Sequence, residues 1–322
     1  MHPILIHIPT PWGAIPIYSY GVMLGTSLVV AWYFIMYFGR KKEGLDEELM
    51  ANAFMVTAVC AILCARLLYV FTNLDDFDDP KKWLDFRSGG LVAYGGFLGG
   101  FGASWAYMTW KKVPMSAWAD LVAPTLGSGL FFTRIGCWLY GCDFGRPLGE
   151  HAPAFLVKLG TFPKWDLDGR PQLACDNVIS GSPAYNHHLS QNLIGPDAVA
   201  SLPVHPTQIY ESLAGLAIFA LGFYILQHRK FRGQSIAAIT IAYSLWRFVL
   251  EYWRDDPERG AALGFSTSQL VSLALLPIAA GAWVVLKKRA ETQGEKPIPA
   301  SALAKTESVS PSDAKKNPRK KG

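Results

Sequence analysis

Charged side chains inside apolar segments are the residues of this chain best able to do chemistry. In the apolar residues 236–253 and just beyond, Tyr243, Arg247, Glu251 and Arg254 follow one another at spacings of four, four and three. A helix would gather them within an arc of about 80°. A charge in hydrocarbon costs several kcal/mol unless a partner or a polar cavity receives it. A self-neutralising Arg247 to Glu251 pair would explain two of these residues, whereas the second arginine favours a functional polar face.

Arg134 is a further charged candidate, near the end of the apolar residues 121–140. Gly136, Gly141 and Gly145 follow it, and they would let the backbone approach a ligand closely with its amides free to donate hydrogen bonds. Such a place suits an anionic headgroup. A snorkelling arginine beside ordinary helix-packing glycines fits the same residues. On this segment alone, both interpretations stay open.

Two polar motifs stand at the beginnings of other apolar segments. Residues 205–211 read His-Pro-Thr-Gln-Ile-Tyr-Glu, and Tyr94, Gly95 and Gly96 begin a stretch rich in small residues. Capping of a helix start explains part of the first motif, but a His beside a Gln, a Tyr and a Glu exceeds what a cap needs. The small residues of the second motif predict close helix contact or a backbone-lined cavity.

The elements that must position these residues are apolar segments. Hydrophobic residues make up 51% of the 322 residues and charged residues 17%. Seven segments of roughly 18 to 22 residues are each long enough to cross a ~30 Å hydrocarbon core. Most are apolar all round, whereas a soluble helical protein would show a polar stripe on each helix. We therefore expect an all-α polytopic membrane protein with seven spans, at residues 18–38, 49–71, 91–110, 121–140, 209–226, 236–253 and 270–286.

Basic residues mark alternate loops, which the positive-inside rule places in the cytoplasm. Lys and Arg cluster at residues 40–42, 111–112 and 229–232, whereas residues 1–17 contain neither. Seven spans then put the N-terminus outside and the C-terminus in the cytoplasm.

The domain organisation follows from this topology. Residues 1–286 are expected to form a seven-helix transmembrane domain, with residues 141–205 as a loop-rich periplasmic head broken by prolines. Residues 287–322 have almost no large apolar side chain, so we expect a disordered basic cytoplasmic tail. This tail carries the net positive charge, and the remainder has no electrostatic footprint for nucleic acid. No nucleic-acid partner is therefore expected.

The cysteines divide by location. Cys60 and Cys64 lie within an apolar segment, where a thiol behaves as a small hydrophobe. Cys137, Cys142 and Cys175 lie on the expected outer side, where disulfides persist. A bridge from Cys175 to Cys142 or Cys137, and no bridge at all, are both compatible with the sequence. Nothing resembles a structural zinc pattern, so neither a metal nor an organic cofactor is expected.

Together with Ser19-Tyr20-Gly21 and Ala65-Arg66-Leu67, these motifs resemble, in order and in register over residues 18–286, the bacterial prolipoprotein diacylglyceryl transferases. The resemblance implies a multi-pass enzyme of the bacterial plasma (inner) membrane. Its substrates would be phosphatidylglycerol, a membrane lipid, and the signal peptide of a prolipoprotein. The diacylglyceryl group would move to the thiol of the lipobox cysteine, with release of glycerol 1-phosphate.

The resemblance also implies roles by position. Arg134 and Arg247 match the two arginines that handle the lipid phosphate. The candidate catalytic residues are Arg134, Arg247, His205, Tyr94 and Glu251. The candidate phosphatidylglycerol-binding residues are Arg134, Arg247, Tyr20, Tyr243, Gly95, Gly96, Gly145, Arg66 and Arg254.

The chain departs from the family pattern at three positions. Tyr94 stands where His is usual, and Cys137 and Cys142 stand where Asn and Glu are usual; Asp143 lies one residue past the missing Glu. A neutral tyrosine is a poor base at pH 7, so Tyr94 is expected to hydrogen-bond the phosphate or the glycerol. His205 or Glu251 is then expected to take the proton of the acceptor thiol, with His205 preferred. Capping of the helix start is the other explanation of His205.

Two alternatives from other functional classes stay open. One is a lipid-binding or channel-like membrane protein that kept the fold and lost the chemistry, supported only by the three departures. The other is an enzyme that uses the same lipid donor on a different acceptor. Thioether formation on a lipobox peptide would separate the expected transferase from both.

Overall fold

The computed structural model describes residues 3–11, 13–77, 83, 90–164, 181–255, 261–262 and 264–293. The described chain begins with a β-hairpin, in which β1 (Ile4–Thr10) pairs antiparallel with β2 (Gly13–Tyr18). This hairpin corrects the all-α prediction. Isoleucines at alternate positions give β1 the two-residue period and the β-branched side chains that favour a strand.

Helices make up most of the described chain. The seven longest coincide with the seven apolar segments found in the sequence, and two short helices lie between the fourth and fifth of them. In order they are α1 (Ser19–Phe38), α2 (Glu47–Thr72), α3 (Ala93–Trp110), α4 (Met115–Tyr140), α5 (Ala154–Gly160), α6 (Pro183–Ser190), α7 (Thr207–His228), α8 (Gln234–Leu250) and α9 (Thr267–Gln293).

Four helices are long and apolar enough to cross a membrane, within the described residues: α2, α7, α1 with the π-helical turn that follows it (Ser19–Glu43), and α9 up to Thr292. The chain is thus a mainly helical membrane protein. The other three long helices have identifiable reasons for not meeting these two conditions of length and apolarity. α8 has only 17 residues, α4 carries Asp120 and Arg134, and α3 is rich in glycine. The seven-span count and its orientation remain predictions.

The last predicted spans end elsewhere than expected. α8 stops at Leu250, and Glu251–Trp253 forms a 3-10 turn. Arg254 is extended and forms an isolated antiparallel bridge with Gly145, so the prediction that it shares a helical face with Tyr243 was wrong. A short hairpin of β3 (Ala261–Ala262) and β4 (Phe265–Ser266) precedes α9. α9 itself runs seven residues beyond 286 to Gln293, and the rest of the expected tail, 294–322, lies outside the described residues.

α4 is the central helix and packs most extensively against α7 and α1, while α2 pairs with α3 and α8 with α9. Gly127 and Gly215 allow the α4–α7 contact. A Cβ at Gly127 would lie 2.8 Å from the Gly215 carbonyl oxygen, and one at Gly215 would lie 2.7 Å from the Phe131 amide. Ser212 adds a hydrogen bond to the Phe131 carbonyl at 3.0 Å. This close contact brings the first turns of α7 beside the last turns of α4.

The described parts of residues 141–205 form a small head over that end of α4. Its core contains Phe144, Phe162, Ala184 and Val204, and Trp138 of α4 packs against it. Residues 165–180, which include Cys175, lie outside the described residues.

Candidate functional site

Two arginines and two carboxylates meet at the C-terminal end of α4, and we call them the Asp143 cluster: Arg134, Asp143, Glu211 and Arg254. Arg134 donates from Nη1 to Asp143 Oδ2 and from Nε to Glu211 Oε2, each at 2.8 Å. Arg254 pairs through Nη2 with Asp143 Oδ1 and through Nη1 with Glu211 Oε2 at 3.4 Å. Each carboxylate therefore bridges both guanidinium groups.

The Asp143 cluster is closed on one side and open on the other. The side chains of Glu211 and Arg254 are 0% and 1% exposed, whereas those of Arg134 and Asp143 are 18% and 29% exposed. The four charges cancel, which is the condition under which ionic groups tolerate burial. An incoming ligand would meet the cluster at Asp143 and Arg134.

The 205–211 motif holds the loop that carries Asp143. Thr207 Oγ1 donates to the Asp143 carbonyl at 2.7 Å, and Gln208 Nε2 donates to the Cys142 carbonyl at 2.6 Å. Asp143 itself has φ 57°, a left-handed conformation that costs a non-glycine residue roughly 1 kcal/mol. These contacts explain why the motif has more polar residues than a helix cap needs.

Gly145 fixes the position of Arg254. Its amide donates to the His205 carbonyl at 3.0 Å, and the Arg146 amide donates to the Trp253 carbonyl at 2.8 Å. A Cβ at Gly145 would lie 2.7 Å from the His205 carbonyl oxygen, so no larger residue allows this approach. The predicted site residue Gly145 thus lies next to the cluster and acts through its backbone.

The electrostatics of Asp143 follow from these neighbours. Burial alone would raise the pKa of its carboxyl, but the guanidinium groups of Arg134 and Arg254 hold that pKa well below its usual range. Asp143 is therefore an anion at every physiological pH and does not serve as a proton acceptor near neutrality.

Arg247 lies on α8 with partners of its own. Its Nη1 donates to Glu251 Oε2 and its Nη2 to Ser268 Oγ, both at 2.8 Å. The Arg247 and Glu251 side chains are each 9% exposed. The ion pair that the spacing allows is thus present, and Ser268 is an additional partner from α9.

Tyr243 and Tyr20 lie close to these charges. Tyr243 is within electrostatic range of Arg134, Arg247 and Glu211, and it lies about one helical turn before Arg247 on α8. Tyr20 of α1 packs against Gly136 of α4, where a Cβ would lie 3.1 Å from Tyr20 Cδ2. It also lies within electrostatic range of Arg134. Both predicted tyrosines therefore border the Asp143 cluster.

His205 lies at the junction between the head and α7. Its Nδ1 is 3.3 Å from the Tyr210 hydroxyl. Burial lowers the pKa of the imidazole, so His205 is neutral at pH 7 and able to accept a proton. The backbone of His205, through the bond to Gly145, links it to the loop that carries the cluster.

The remaining predicted residues have their described contacts around α2. A Cβ at Gly95 would lie 2.8 Å from Leu68 Cβ, and one at Gly96 would lie 3.6 Å from Ala65 Cβ. Tyr94 is exposed.

Arg66 is fully buried at the end of α2. It donates from Nε to the Trp83 carbonyl at 2.9 Å and from Nη1 to the Gly90 carbonyl at 3.2 Å. These bonds hold the connection between α2 and α3. Lipid binding by Arg66, Gly95 and Gly96, and a catalytic part for Tyr94, stay predictions.

Glu211 and Gln208 are functional candidates that the sequence pattern identified only as members of the 205–211 motif. Both are fully buried in the first turns of α7. Ionisable and amide side chains in an apolar helix are costly without partners, and that cost was the signal available in the sequence. It did not reveal that Glu211 would bridge two arginines from other elements.

Two thiols lie against the Asp143 cluster. Cys137 and Cys142 are both free cysteines. Cys142 Sγ lies 3.7 Å from Asp143 Oδ2, and Arg134 Nη1 lies 3.9 Å from Cys137 Sγ. The two sulfurs and an Asp143 carboxylate oxygen all lie within 4.8 Å of one another, a grouping able to hold a metal ion. The partner considered for a disulfide, Cys175, lies outside the described residues.

Comparison with known proteins decides the family. A family model described as prolipoprotein diacylglyceryl transferase matches residues 3–286. The chain belongs to the prolipoprotein diacylglyceryl transferase family. The resemblance found in the sequence is thereby confirmed, and the chain is a transferase.

Individual members of the prolipoprotein diacylglyceryl transferase family match over most of their length. The chain is 30% identical over 264 residues to the phosphatidylglycerol-prolipoprotein diacylglyceryl transferase 2 of Clostridium perfringens, covering 81% of this chain and 87% of that protein. It is 29% identical over 311 residues to the phosphatidylglycerol-prolipoprotein diacylglyceryl transferase of Corynebacterium efficiens, covering 90% and 86%. The matches therefore include the Asp143 cluster as well as the apolar helices.

Proposed function

We propose that this chain transfers the diacylglyceryl group of phosphatidylglycerol to the thiol of the lipobox cysteine in a prolipoprotein signal peptide, releasing glycerol 1-phosphate. The observation that carries the proposal is the Asp143 cluster, because a family of phosphate-releasing transferases needs cationic groups where the leaving phosphate develops charge. In this chain Arg134 and Arg254 converge there from different elements.

The bond to be broken joins a glycerol carbon to a phosphate oxygen. The acceptor thiolate attacks that carbon, the C–S bond forms, and the electron pair of the C–O bond goes to the phosphate oxygen. Guanidinium groups suit this task because they stay charged and present a planar fork to two oxygens. Preorganised positive groups in a site of low dielectric stabilise the developing charge without reorganisation.

We propose that the lipid phosphate takes the place of the Asp143 carboxylate. The two oxygens of Asp143 now bridge Arg134 and Arg254, and two phosphate oxygens would satisfy the same pair of forks. Asp143 is the most exposed member of the cluster, whereas Glu211 is buried and would keep both arginines in position. Arg247, held by Glu251 and Ser268, would contact the other side of the phosphate.

The acceptor thiol must lose a proton before it attacks. We assign that proton to His205, which is neutral because burial lowers its pKa. Glu251 is the less suitable acceptor, because its carboxylate is already paired with Arg247 at 2.8 Å. The low pKa of Asp143 removes that carboxyl from consideration as the base.

We further propose seven membrane spans in the bacterial inner membrane, with the N-terminus outside and the C-terminus in the cytoplasm. The coincidence of all seven long helices with the apolar segments supports the count, and the alternation of basic loops supports the orientation. This topology puts the Asp143 cluster at the outer boundary, the side from which a lipobox thiol would come. Membrane-impermeant labelling of a cysteine introduced at Glu150, compared with one at Lys230, tests it: only the first should react from outside.

The experiment that tests the activity is mass spectrometry of a lipobox peptide incubated with the purified full-length protein in phosphatidylglycerol nanodiscs. We expect one diacylglyceryl group on the cysteine peptide and none on a peptide with Ser in its place. Phosphatidylethanolamine nanodiscs should give no product. Binding of phosphatidylglycerol without any adduct would instead indicate a non-catalytic lipid-binding protein, and adducts on other thiols only would indicate a different acceptor.

A further inference from the structure

We propose that Cys137, Cys142 and Asp143 form a three-ligand site for a thiophilic divalent cation of the Zn²⁺ class, whose fourth position receives the acceptor thiolate. The second half of this statement rests on the proposed function, and the first half does not. A metal was not expected from the sequence, because these residues match no structural zinc spacing.

The separations within the group suit zinc. Tetrahedral zinc with Zn–S of about 2.3 Å and Zn–O of about 2.1 Å puts a sulfur and an oxygen ligand about 3.6 Å apart. Cys142 Sγ and Asp143 Oδ2 are 3.7 Å apart, and all three ligand atoms lie within 4.8 Å of one another.

The surroundings also suit a metal site. Metal-binding carboxylates are usually hydrogen-bonded by outer groups that fix their direction, and Asp143 has Arg134 and Arg254 in that position. Thr207 and Gln208 hold the backbone carbonyls of Asp143 and Cys142. Cys137 is buried, whereas Cys142 and Asp143 are partly exposed, which gives an ion a way in.

The donor set selects the class of ion. Two thiolates and one carboxylate favour zinc over magnesium or calcium, which prefer oxygen ligands only. Three protein ligands with an open fourth position are typical of catalytic zinc, whereas structural zinc has four. The charge also balances, because the two negative charges of the thiolates cancel the two positive charges of the ion. The net charge of the Asp143 cluster therefore stays unchanged.

Such an ion would assist both the binding of the lipid phosphate and the deprotonation of the acceptor thiol. Arg134 and Arg254 hold the carboxylate of Asp143 before the lipid binds; when phosphatidylglycerol binds, the metal would keep Asp143 in place while both arginines turn to the phosphate of the lipid. A thiol that binds the ion loses its proton, which passes to His205, and the bound thiolate then attacks the glycerol carbon. The C–S bond forms, the C–O bond breaks with its electron pair going to the phosphate oxygen, and the neutral thioether leaves as a poor ligand. No oxidant or reductant is needed.

The first measurement is the metal content of the full-length protein, purified after growth with added zinc and dialysed against buffer without chelator. We expect close to one zinc per chain, and a loss of most of it in Cys142→Ser and Asp143→Asn. Cys60→Ser is the matched control, since Cys60 lies on α2 away from the group, and it should keep its zinc. Replacement by Co²⁺ should give the visible bands of a tetrahedral site and a thiolate-to-cobalt charge-transfer band.

The second measurement addresses the fourth position without relying on turnover. A lipobox peptide added to the cobalt-loaded protein in the absence of phosphatidylglycerol should intensify the charge-transfer band, and a peptide with Ser in place of the cysteine should not. Absence of zinc, or equal zinc in wild type and Cys142→Ser, would overturn the site. A cobalt spectrum that does not change when the cysteine peptide is added would overturn the proposed role of the metal in binding the acceptor thiol.

Failure of the proposed function looks different from failure of the site. Normal zinc and a normal cobalt response, with no transfer from phosphatidylglycerol to any lipobox peptide, would leave the metal site standing and refute the activity. Full transfer by protein stripped of zinc would refute the metal's part in catalysis and leave the activity standing.

Discussion

α4 carries a buried ion cluster near each end, and the two differ in how completely their charges are satisfied. The Asp143 cluster lies at the C-terminal end. Near the N-terminal end lies the Asp120 cluster, formed by Glu43, Asp120, Arg229 and Arg232. Arg134 and Asp120 are 14 residues apart, about 21 Å along the helix.

The Asp120 cluster is enclosed except at Arg232, because the side chains of Glu43, Asp120 and Arg229 are at most 3% exposed. The Asp120 carboxylate accepts from Arg229 at 2.7 Å, from the Gly233 amide at 2.8 Å and from the Ile236 amide at 3.1 Å. Glu43 pairs with Arg229 and, at 3.0 Å, with Arg232. The left-handed residue of its loop is Gly233, for which this conformation carries no steric cost.

The Asp143 cluster is incomplete by the same criteria. Within the described residues, Glu211 Oε1 is buried with no hydrogen-bond partner, and such an atom costs about 1–3 kcal/mol. The left-handed residue of the loop is Asp143, and its side chain remains 29% exposed. An ion cluster whose only role is to hold helices together is expected to have its buried carboxylates fully paired, as the Asp120 cluster does. The hydrogen-bonding capacity left in the Asp143 cluster is what we expect of the ligand site proposed above.

The largest expected difference between the clusters comes from removing one arginine in each. Arg134→Ala should lower transfer per folded molecule by about 10³-fold, because a phosphate loses a preorganised partner. Arg229→Ala should leave transfer per folded molecule within about twofold, but should lower the free energy of unfolding by about 3 kcal/mol, because the buried Asp120 carboxylate loses its ion-pair partner. Peptide mass spectrometry and thermal unfolding measure the two effects. Equal losses of transfer in both variants would remove the distinction between the clusters.

A conservative change sharpens the comparison. Arg247→Lys keeps the charge but lacks the planar fork that holds two oxygens, and we expect a loss of transfer of about 10²-fold. The matched variant Arg232→Lys, in the Asp120 cluster, should stay within about twofold of wild type because its side chain is partly exposed. Rates near wild type for Arg247→Lys would mean that Arg247 contributes charge alone.

His205 tests the proton transfer through pH dependence. Burial lowers its pKa, so the wild-type rate should rise with pH to a plateau, with a midpoint below the usual value of about 6.5. At lower pH the imidazole is protonated and unable to accept the thiol proton. His205→Gln should abolish this limb and lower the plateau by at least about tenfold. The exposed His151→Gln is the control and should keep the limb; an unchanged profile in His205→Gln would exclude this residue as the base.

The smallest expected effect concerns one serine near each cluster. Ser268→Ala removes a bond of 2.8 Å to Arg247, and we expect transfer to fall about fivefold, equivalent to about 1 kcal/mol. Ser235→Ala removes a bond of 3.1 Å to the Gly222 carbonyl beside the Asp120 cluster. It should lower thermal stability slightly and leave the rate alone. A larger rate effect from Ser235 than from Ser268 would contradict the assignment.

The long helices could be predicted from the sequence because an apolar segment long enough to span a membrane usually forms an α-helix. It also predicted the Arg247 to Glu251 pair, which depends only on spacing within one helix. The N-terminal hairpin was not predicted, because the length of apolar segments predicts membrane helices and does not reflect the alternating isoleucines of β1. The position of Arg254 was not predicted, because it depends on where α8 ends and on a bridge to Gly145. Gly145 precedes Arg254 by 109 residues in the sequence.

The partners of Arg134 illustrate the same limit. Glu211 meets Arg134 only because Gly127 and Gly215 let α4 and α7 approach closely, and helix crossings cannot be obtained from the periodicity of either helix. The sequence did identify Arg134 and Tyr243 as polar residues within apolar segments, and His205 in the polar motif that precedes another. Long-range packing then decided which of the candidates share a site.

Phosphorus-31 NMR of a single reaction tests most directly whether the Asp143 cluster cleaves phosphatidylglycerol at carbon. The full-length protein, phosphatidylglycerol nanodiscs and a lipobox peptide are incubated together, beside the same mixture with Arg134→Ala. We predict that glycerol 1-phosphate appears in a one-to-one ratio with the peptide thioether, and that the variant forms neither. Thioether without glycerol 1-phosphate, a phosphorylated peptide, or equal product from Arg134→Ala would contradict the account.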